Sequence, residues 1–256
     1  MKKQMVFVLL VVFITSLACQ LLFPAGTGTA GSDCANIVAA VGNIQPGDIP
    51  KHLLQTGVKQ GDEFDANSYF DVLTHISMRA GYLLDYVYRV DGLGAFPVLY
   101  ARPADQAPYI SMEEVNSATQ LPDFHAYLDV DDVEQGYFEY VVMDIMARQF
   151  YLDWHANYND REIICNRQAV DDVISRVNAS EFGSKLDLVQ QTKARGIKGI
   201  EPVVSLTGDI VRVQIVTFTK WGGFFRLTYT ISREFPHKII DVKEEELVPY
   251  DCGVMF

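Results

Sequence analysis

Residues 201–242 constrain the fold more than any other stretch. Four runs rich in β-branched and aromatic residues, EPVVSL, IVRVQIVTFTKW, FFRLTYTISR and KIIDV, are separated by Thr207-Gly208-Asp209, Gly222-Gly223 and Pro236-His237. Such residues suit a pleated surface, and the separators break strands, so the pattern predicts a four-stranded antiparallel meander. Gly222-Gly223 fits a type I′ turn, whose two central residues both need positive φ. That turn pairs Trp221 with Phe224. In this register Val216, Phe218, Phe225, Leu227, Tyr229 and Ile231 line one face. Val211, Val213, Ile215, Trp221 and Phe224 partly line the other. With both faces at least half covered, the sheet should curl around a helix or close a pocket.

Helical signals lie upstream. NRQAVDDVISRV places Val170, Val173, Ile174 and Val177 on one face behind an Asn166 cap. SKLDLVQQTKARG offers Ser184 and Asp187 as a capping box and Gly196 at the end. Between Asp132 and Trp154 the polar positions recur every four or five residues. Phe138, Val141, Val142, Ile145, Met146, Phe150 and Trp154 form the opposite stripe, which predicts a helix with Asp132 and Gln135 as its box. Gly136 and the β-rich YFEYVV keep a strand start open. DANSYFDVLTHISM carries Tyr69, Val72, Leu73 and Ile76 at helical spacing. YLLDYVYRV and FPVLYAR, joined by DGLGA, read as a hairpin. Residues 102–123, with three prolines, read as an irregular crossing.

The expected class is α+β: helices packed on a C-terminal four-stranded antiparallel meander, plus an N-terminal helix and hairpin. Helices followed by such a meander resemble, in element order, the cone-shaped nuclear transport factor 2-like folds or cystatin-like folds. That resemblance covers about the last 125 residues and implies architecture alone. At 256 residues and 49% apolar content the chain can bury a sizeable core.

The N-terminus sets the expected location. Lys2 and Lys3 precede an apolar run from Met5 to Phe23, interrupted at Ala18-Cys19. A short basic region followed by an apolar one is the pattern of a secretory signal. Cys after a small residue resembles a bacterial lipoprotein signal, although Ser16 stands where that family usually has Leu. The resemblance implies a signal peptide over 1–18 and lipidation of Cys19. It leaves 19–33, with the small and polar PAGTGTAGS, as a flexible tether to an extracytoplasmic domain over 34–256, with a candidate subdivision near 120. Ser16-x-Ala18 also satisfies ordinary cleavage, and the nineteen-residue run from Met5 to Phe23 approaches the length of an uncleaved anchor. Lysines hold the N-terminus inside, so lipid and anchor give one topology.

The formal charge of −12 becomes −14 once Lys2 and Lys3 are removed. A field of that sign repels phosphate backbones, and no basic cluster interleaves with aromatics, so nucleic acid is not expected as a partner. Outside the cytoplasm one disulfide is expected among Cys34, Cys165 and Cys252, with Cys165–Cys252 the favoured pair. Their spacings are not those of a metal site, and neither a metal nor a cofactor is expected.

FYLDWHANYND, residues 150–160, is the densest cluster of chemistry-bearing side chains. One reading makes it a helix end, with Trp154 and Phe150 in the core and His155, Asn157 and Asp160 at the polar terminus. The sharper reading makes His155 a general base oriented by Asp160 or Asp153. The Asp129, Asp131, Asp132 and Glu134 cluster does not match a calcium loop and reads as a solvated acidic cap. Trp221 and Tyr229 are the candidate ligand-binding aromatics of the meander. No nucleophile elbow or phosphate loop is present. The leading expectation is an envelope-tethered protein that binds a small apolar ligand, or a partner protein, between helices and meander. A small hydrolase or isomerase using His155 and Asp160, and a purely structural envelope protein, are the alternatives.

Overall fold

The computed structural model describes residues 33–117 and 120–253. The expected signal peptide, Cys19 and all but the last residue of the expected tether lie outside the described residues. Among these, no helix is long and apolar enough to cross a membrane.

The fold is α+β with antiparallel sheets. Helices α1 (Cys34–Ile44) and α2 (Lys51–Thr56) lead into a 3-10 turn, Ala66–Asp71, and strand β1 (Ile76–Met78). The hairpin β2 (Tyr82–Val90) and β3 (Gly94–Pro103) forms where the sequence predicts it. After the short α3 (Met112–Ser117) and a 3-10 turn, Phe124–Tyr127, come β4 (Leu128–Val130) and helix α4 (Glu134–Met146). Strand β5 (Asp153–Trp154), the 3-10 segment His155–Tyr158 and strand β6 (Glu162–Ile164) follow. Helices α5 (Arg167–Ala179) and α6 (Leu188–Arg195) then precede β7 (Val203–Thr207), β8 (Ile210–Thr219), β9 (Gly223–Ser232) and β10 (Ile239–Pro249). The principal sheet runs β10-β9-β8, with β7 and β6 paired end to end along the far edge of β8. Smaller sheets join β2, β3 and β5, and β1 with β4.

The register of β8 and β9 corrects the sequence expectation. Phe218 pairs with Phe224 and Thr219 with Gly223, so the turn is Lys220-Trp221-Gly222. Of the two glycines only Gly223 takes positive φ, +102°, which excludes the type I′ turn. Gly223 is required for another reason: a Cβ there would collide with the Val248 carbonyl of β10. The slip is three residues, an odd number, so it swaps the faces of one strand relative to the other. Val211, Val213 and Ile215 now share a face with Leu227, Tyr229 and Ile231, in the larger core beneath α4. Val216, Phe218 and Phe224 face the second core, beneath α5 and α6. Both faces of the sheet are covered, with different side chains from those expected.

Helix α4 is buried on nearly every side, and Gly136 lies within it. A Cβ on Gly136 would meet the Asp131 carbonyl, which explains a glycine in a helix interior. The helix ends at Met146 rather than running to Trp154. Its last carbonyls are taken from outside: Gln45 donates to Met146 O at 2.7 Å and the Tyr69 hydroxyl to Ala147 O at 3.1 Å. With the Gln149 amide, which donates to Met146 O at 3.0 Å, these distant donors satisfy carbonyls that another helical turn would have satisfied. Phe150 still enters the core, but the chain turns through positive φ at Tyr151 (53°) and Trp154 (41°). Trp154 is 54% exposed, not part of the core stripe. The expected Asp132 box is absent too; Val133 caps α4, and Asp132 holds Arg233 in a two-pronged pair, both contacts at 2.7 Å.

Helix α5 has its Asn166 cap, accepting from Ala169 N at 3.0 Å. The box of α6 is Asp187 with Gln190, one turn later than Ser184. The helical stripe expected over residues 69–76 forms only the 3-10 turn before the chain extends into β1. The larger core takes Tyr69 and Leu84 from one side of residue 120 and Tyr140 and Ile215 from the other.

The disulfide joins Cys34 to Cys165, with Cα atoms 5.6 Å apart, and Cys252 is a buried free thiol. This replaces the expected Cys165–Cys252 pair. Cys34 and Cys165 lie in the core on one face of the principal sheet and Cys252 in the core on the other, so the sheet separates them.

Candidate functional site

Two concavities meet at the segment that joins β5 to β6. The first, about 530 Å³, opens between the outer side of α4 and the exposed end of the principal sheet. Helix α4 supplies Asp144, the β8–β9 turn supplies Trp221, and β9 supplies Phe225 and Tyr229. Arg161 and Glu244 close its far side. The second, about 450 Å³, is more apolar and lies over β3, lined by Phe96, Val98, Leu99 and Leu152 with His155 in its wall. Tyr158 and Asn159 line both. Volumes of this size are typical of small-molecule sites.

The corrected register puts Trp221 here. Freed from a strand pair, it stands at the turn tip with its ring centroid 4.4 Å from that of Tyr158. Asp160 fastens that turn: the Thr219 hydroxyl donates to its carboxylate at 2.5 Å and the Lys220 amide at 3.3 Å. Burial pushes the Asp160 carboxyl up, against the lowering effect of these donors and of Lys220. Asp160 is therefore a turn anchor, and no ion pair joins it to His155 among the described residues. The His155 ring instead lies 4.7 Å from that of Trp154 and 5.9 Å from that of Tyr158. Its amide donates to Leu93 O at 3.1 Å, and Gly94 permits the close approach, since a Cβ there would strike Asp153 O and Ala156 N. Trp221 and Tyr229 line one concavity, His155 the other.

A chain of polar groups, of which the sequence marks only Tyr229 as a candidate site residue, backs the first concavity. The Tyr229 hydroxyl donates to Asp144 at 2.9 Å. On its other side Asp144 faces His125 Nε2 at 3.1 Å, an ion-pair distance although off the direction of a good hydrogen bond. His125 Nδ1 lies 2.9 Å from Asp123. Burial opposes the charge on His125, but the two aspartates outweigh it and hold its pKa up. Asp123 is held down, chiefly by His125; Asp144 is held down by His125 and Tyr229 in spite of burial. With His125 protonated, the imidazolium and two carboxylates leave one negative charge over, which Arg148 offsets at longer range. Asp144 sits on α4 at a spacing that marks a polar face, a weak signal; nothing local links it to His125 or Tyr229.

Arg161 pairs with Glu244 at 2.8 Å and lies over the Phe225 ring at 5.5 Å. Lys220 lies over Trp221 at 5.0 Å. On the apolar side Arg148 lies over Phe124 at 5.3 Å, turned toward the aspartates it helps to hold down.

Elsewhere, potential ligand atoms of His52, Asp62 and Glu63 come within 4.8 Å of one another. The Glu63 carboxylate already accepts from Gln60 N, Gly61 N and His52, which together hold its pKa down against burial. It works as a loop clamp. Comparison with protein-family models, with curated proteins and with solved structures matched none of them to this chain.

Proposed function

We propose that the chain is a membrane-tethered extracytoplasmic binding module whose ligand is a small, largely apolar molecule held in the paired concavities at Tyr158. The observation that carries this reading is the convergence of Trp221, Tyr229 and Tyr158 on a cavity of about 530 Å³, beside an apolar one of about 450 Å³. The tether rests on the N-terminal pattern around Ala18-Cys19. What weighs against a hydrolase or isomerase using Asp160 is that its carboxylate is engaged by the Thr219 hydroxyl and the Lys220 amide.

Both tryptophans of the chain serve the test. Trp221 lines one concavity, and Trp154 lies against His155, which lines the other. Ligand entering either should shift or quench intrinsic emission saturably, with the change lost in Trp221→Phe for the first and Trp154→Phe for the second. An apolar probe series that leaves the emission unchanged at saturating concentration rejects the binding reading. The tether is tested separately by mass spectrometry of the mature N-terminus, where an unmodified Cys19 or an intact leader rules out lipidation.

A further inference from the structure

The two concavities differ in chemistry, and this difference narrows the ligand. Resting on the binding reading above, we propose that the ligand is an amphiphile with an uncharged, hydroxyl-rich head and an apolar tail, lying across Tyr158. The tail occupies the side of Phe96, Val98, Leu99 and Leu152, where hydrocarbon removed from water is the main gain. The head occupies the side of Asp144, Asn159, Arg161 and Glu244, between Tyr158 and Trp221.

The head is uncharged because the charges around it are already matched. Arg161 pairs with Glu244 and Asp144 with His125, while Arg148 offsets the second carboxylate on that imidazole, Asp123. Lys220 covers Trp221 and favours the charge on Asp160. A charged head would have to break one of these pairs or remain unpaired in a half-buried site, either of which is costly. A head bearing hydroxyls breaks none. Carboxylates, the Asn159 amide and the Arg161 guanidinium each have more hydrogen-bonding capacity than one partner uses, and their mutual contacts hold them in place before ligand arrives. Aromatic rings flanking such groups suit a ring compound with apolar faces and a polar rim.

The test uses the full chain in its membrane and an octyl glucoside carrying a photoreactive diazirine at the tail end. After irradiation, label should map by mass spectrometry to residues 96–99 and 152. Unlabelled alkyl glucosides should compete, each added methylene improving competition by about fourfold. Octylammonium and octanoate should compete at least about tenfold more weakly, and glucose alone should not compete at the same concentrations. Trp221→Ala should lower the glucoside affinity by up to about tenfold, the scale of one aromatic contact. Equal competition by the charged octyl compounds overturns the uncharged head. Equal labelling by a headless diazirine alkane overturns the amphiphile while leaving the binding reading intact. Failure of every probe to label the groove overturns both.

Discussion

The carboxylate of Asp160 accepts hydrogen bonds from Thr219 and Lys220, residues 59 and 60 positions later, and so ties the segment carrying Tyr158 to the turn carrying Trp221. The aromatic wall between the two concavities depends on this tie, because Trp221 stands in a turn and Tyr158 at the end of a single 3-10 turn. Asp160 therefore fixes the position of Tyr158 relative to Trp221.

Replacing Asp160 with Ala should cost about 1–3 kcal/mol, the usual range for loss of hydrogen bonds to a charged acceptor. Denaturant unfolding measures the loss. Trp221 emission should move toward the solvent-exposed value in the still-folded variant. Asp160→Asn, which retains one acceptor oxygen, should restore part of both. An Asp160→Ala protein with unchanged stability and emission would remove its role as anchor.

Cys34–Cys165 closes a loop with a sequence separation of 131 residues. Cys165→Ser should lower stability by about 2–5 kcal/mol, the range for loss of a native disulfide. Cys252 is buried, so a thiol reagent should modify it only on unfolding, whereas Cys34 should react in the Cys165→Ser protein once α1 frays. Peptide mapping after alkylation checks the pairing, and a Cys165–Cys252 peptide would contradict it.

The Asp123–His125–Asp144 group makes stability depend on pH in two directions. His125 has a folded pKa above its unfolded value of about 6.5, so its contribution is present below that value and lost as pH rises through the folded one. Asp123 and Asp144 have folded pKa values below the unfolded value of about 3.9; their contribution is present above it and lost as pH falls through the folded ones. Asp160, held up by burial, works against stability where it is charged. Thermal stability should therefore be greatest in the weakly acidic range, between about pH 4 and 6.5. His125→Asn should remove the decline on the alkaline side. A variant with the wild-type alkaline limb would assign that limb to other groups.

Gly136 is the position where helix propensity and tertiary contact disagree. In an isolated helix Gly→Ala gains about 1 kcal/mol. Here the new Cβ meets the Asp131 carbonyl, so Gly136→Ala should destabilise by about 1–3 kcal/mol, the range for overpacking a filled interior. Chemical denaturation of the single variant decides the sign.

Much of the fold was legible because it follows from local rules. The β2–β3 hairpin, the Asn166 cap and apolar face of α5, and the strand content of residues 203–242 are properties of short windows, where side-chain period and cap chemistry act within a few residues. The acidic composition belongs to the chain as a whole in any conformation. The site was legible only as ingredients: Trp221, Tyr229, His155 and Asp160 all lie in or beside the groove, yet in roles that spacing could not assign.

What tertiary structure alone decided were matters of partnership. The β8–β9 register was set by the approach of β10 to Gly223, not by the turn residues, and a three-residue slip moved Trp221 from a strand pair into the groove. Helix α4 ends at Met146, where Gln45 and Tyr69, about 100 and 80 positions away, help to satisfy its last carbonyls. Cys165 met Cys34 because both lie on the same side of the principal sheet. His125, Asp144 and Tyr229 became one ion-paired chain only when three separate elements packed together. Local sequence sets which conformations a segment prefers; which buried donors, carboxylates and faces meet depends on the packing of segments far apart in the chain, and no short window contains that information.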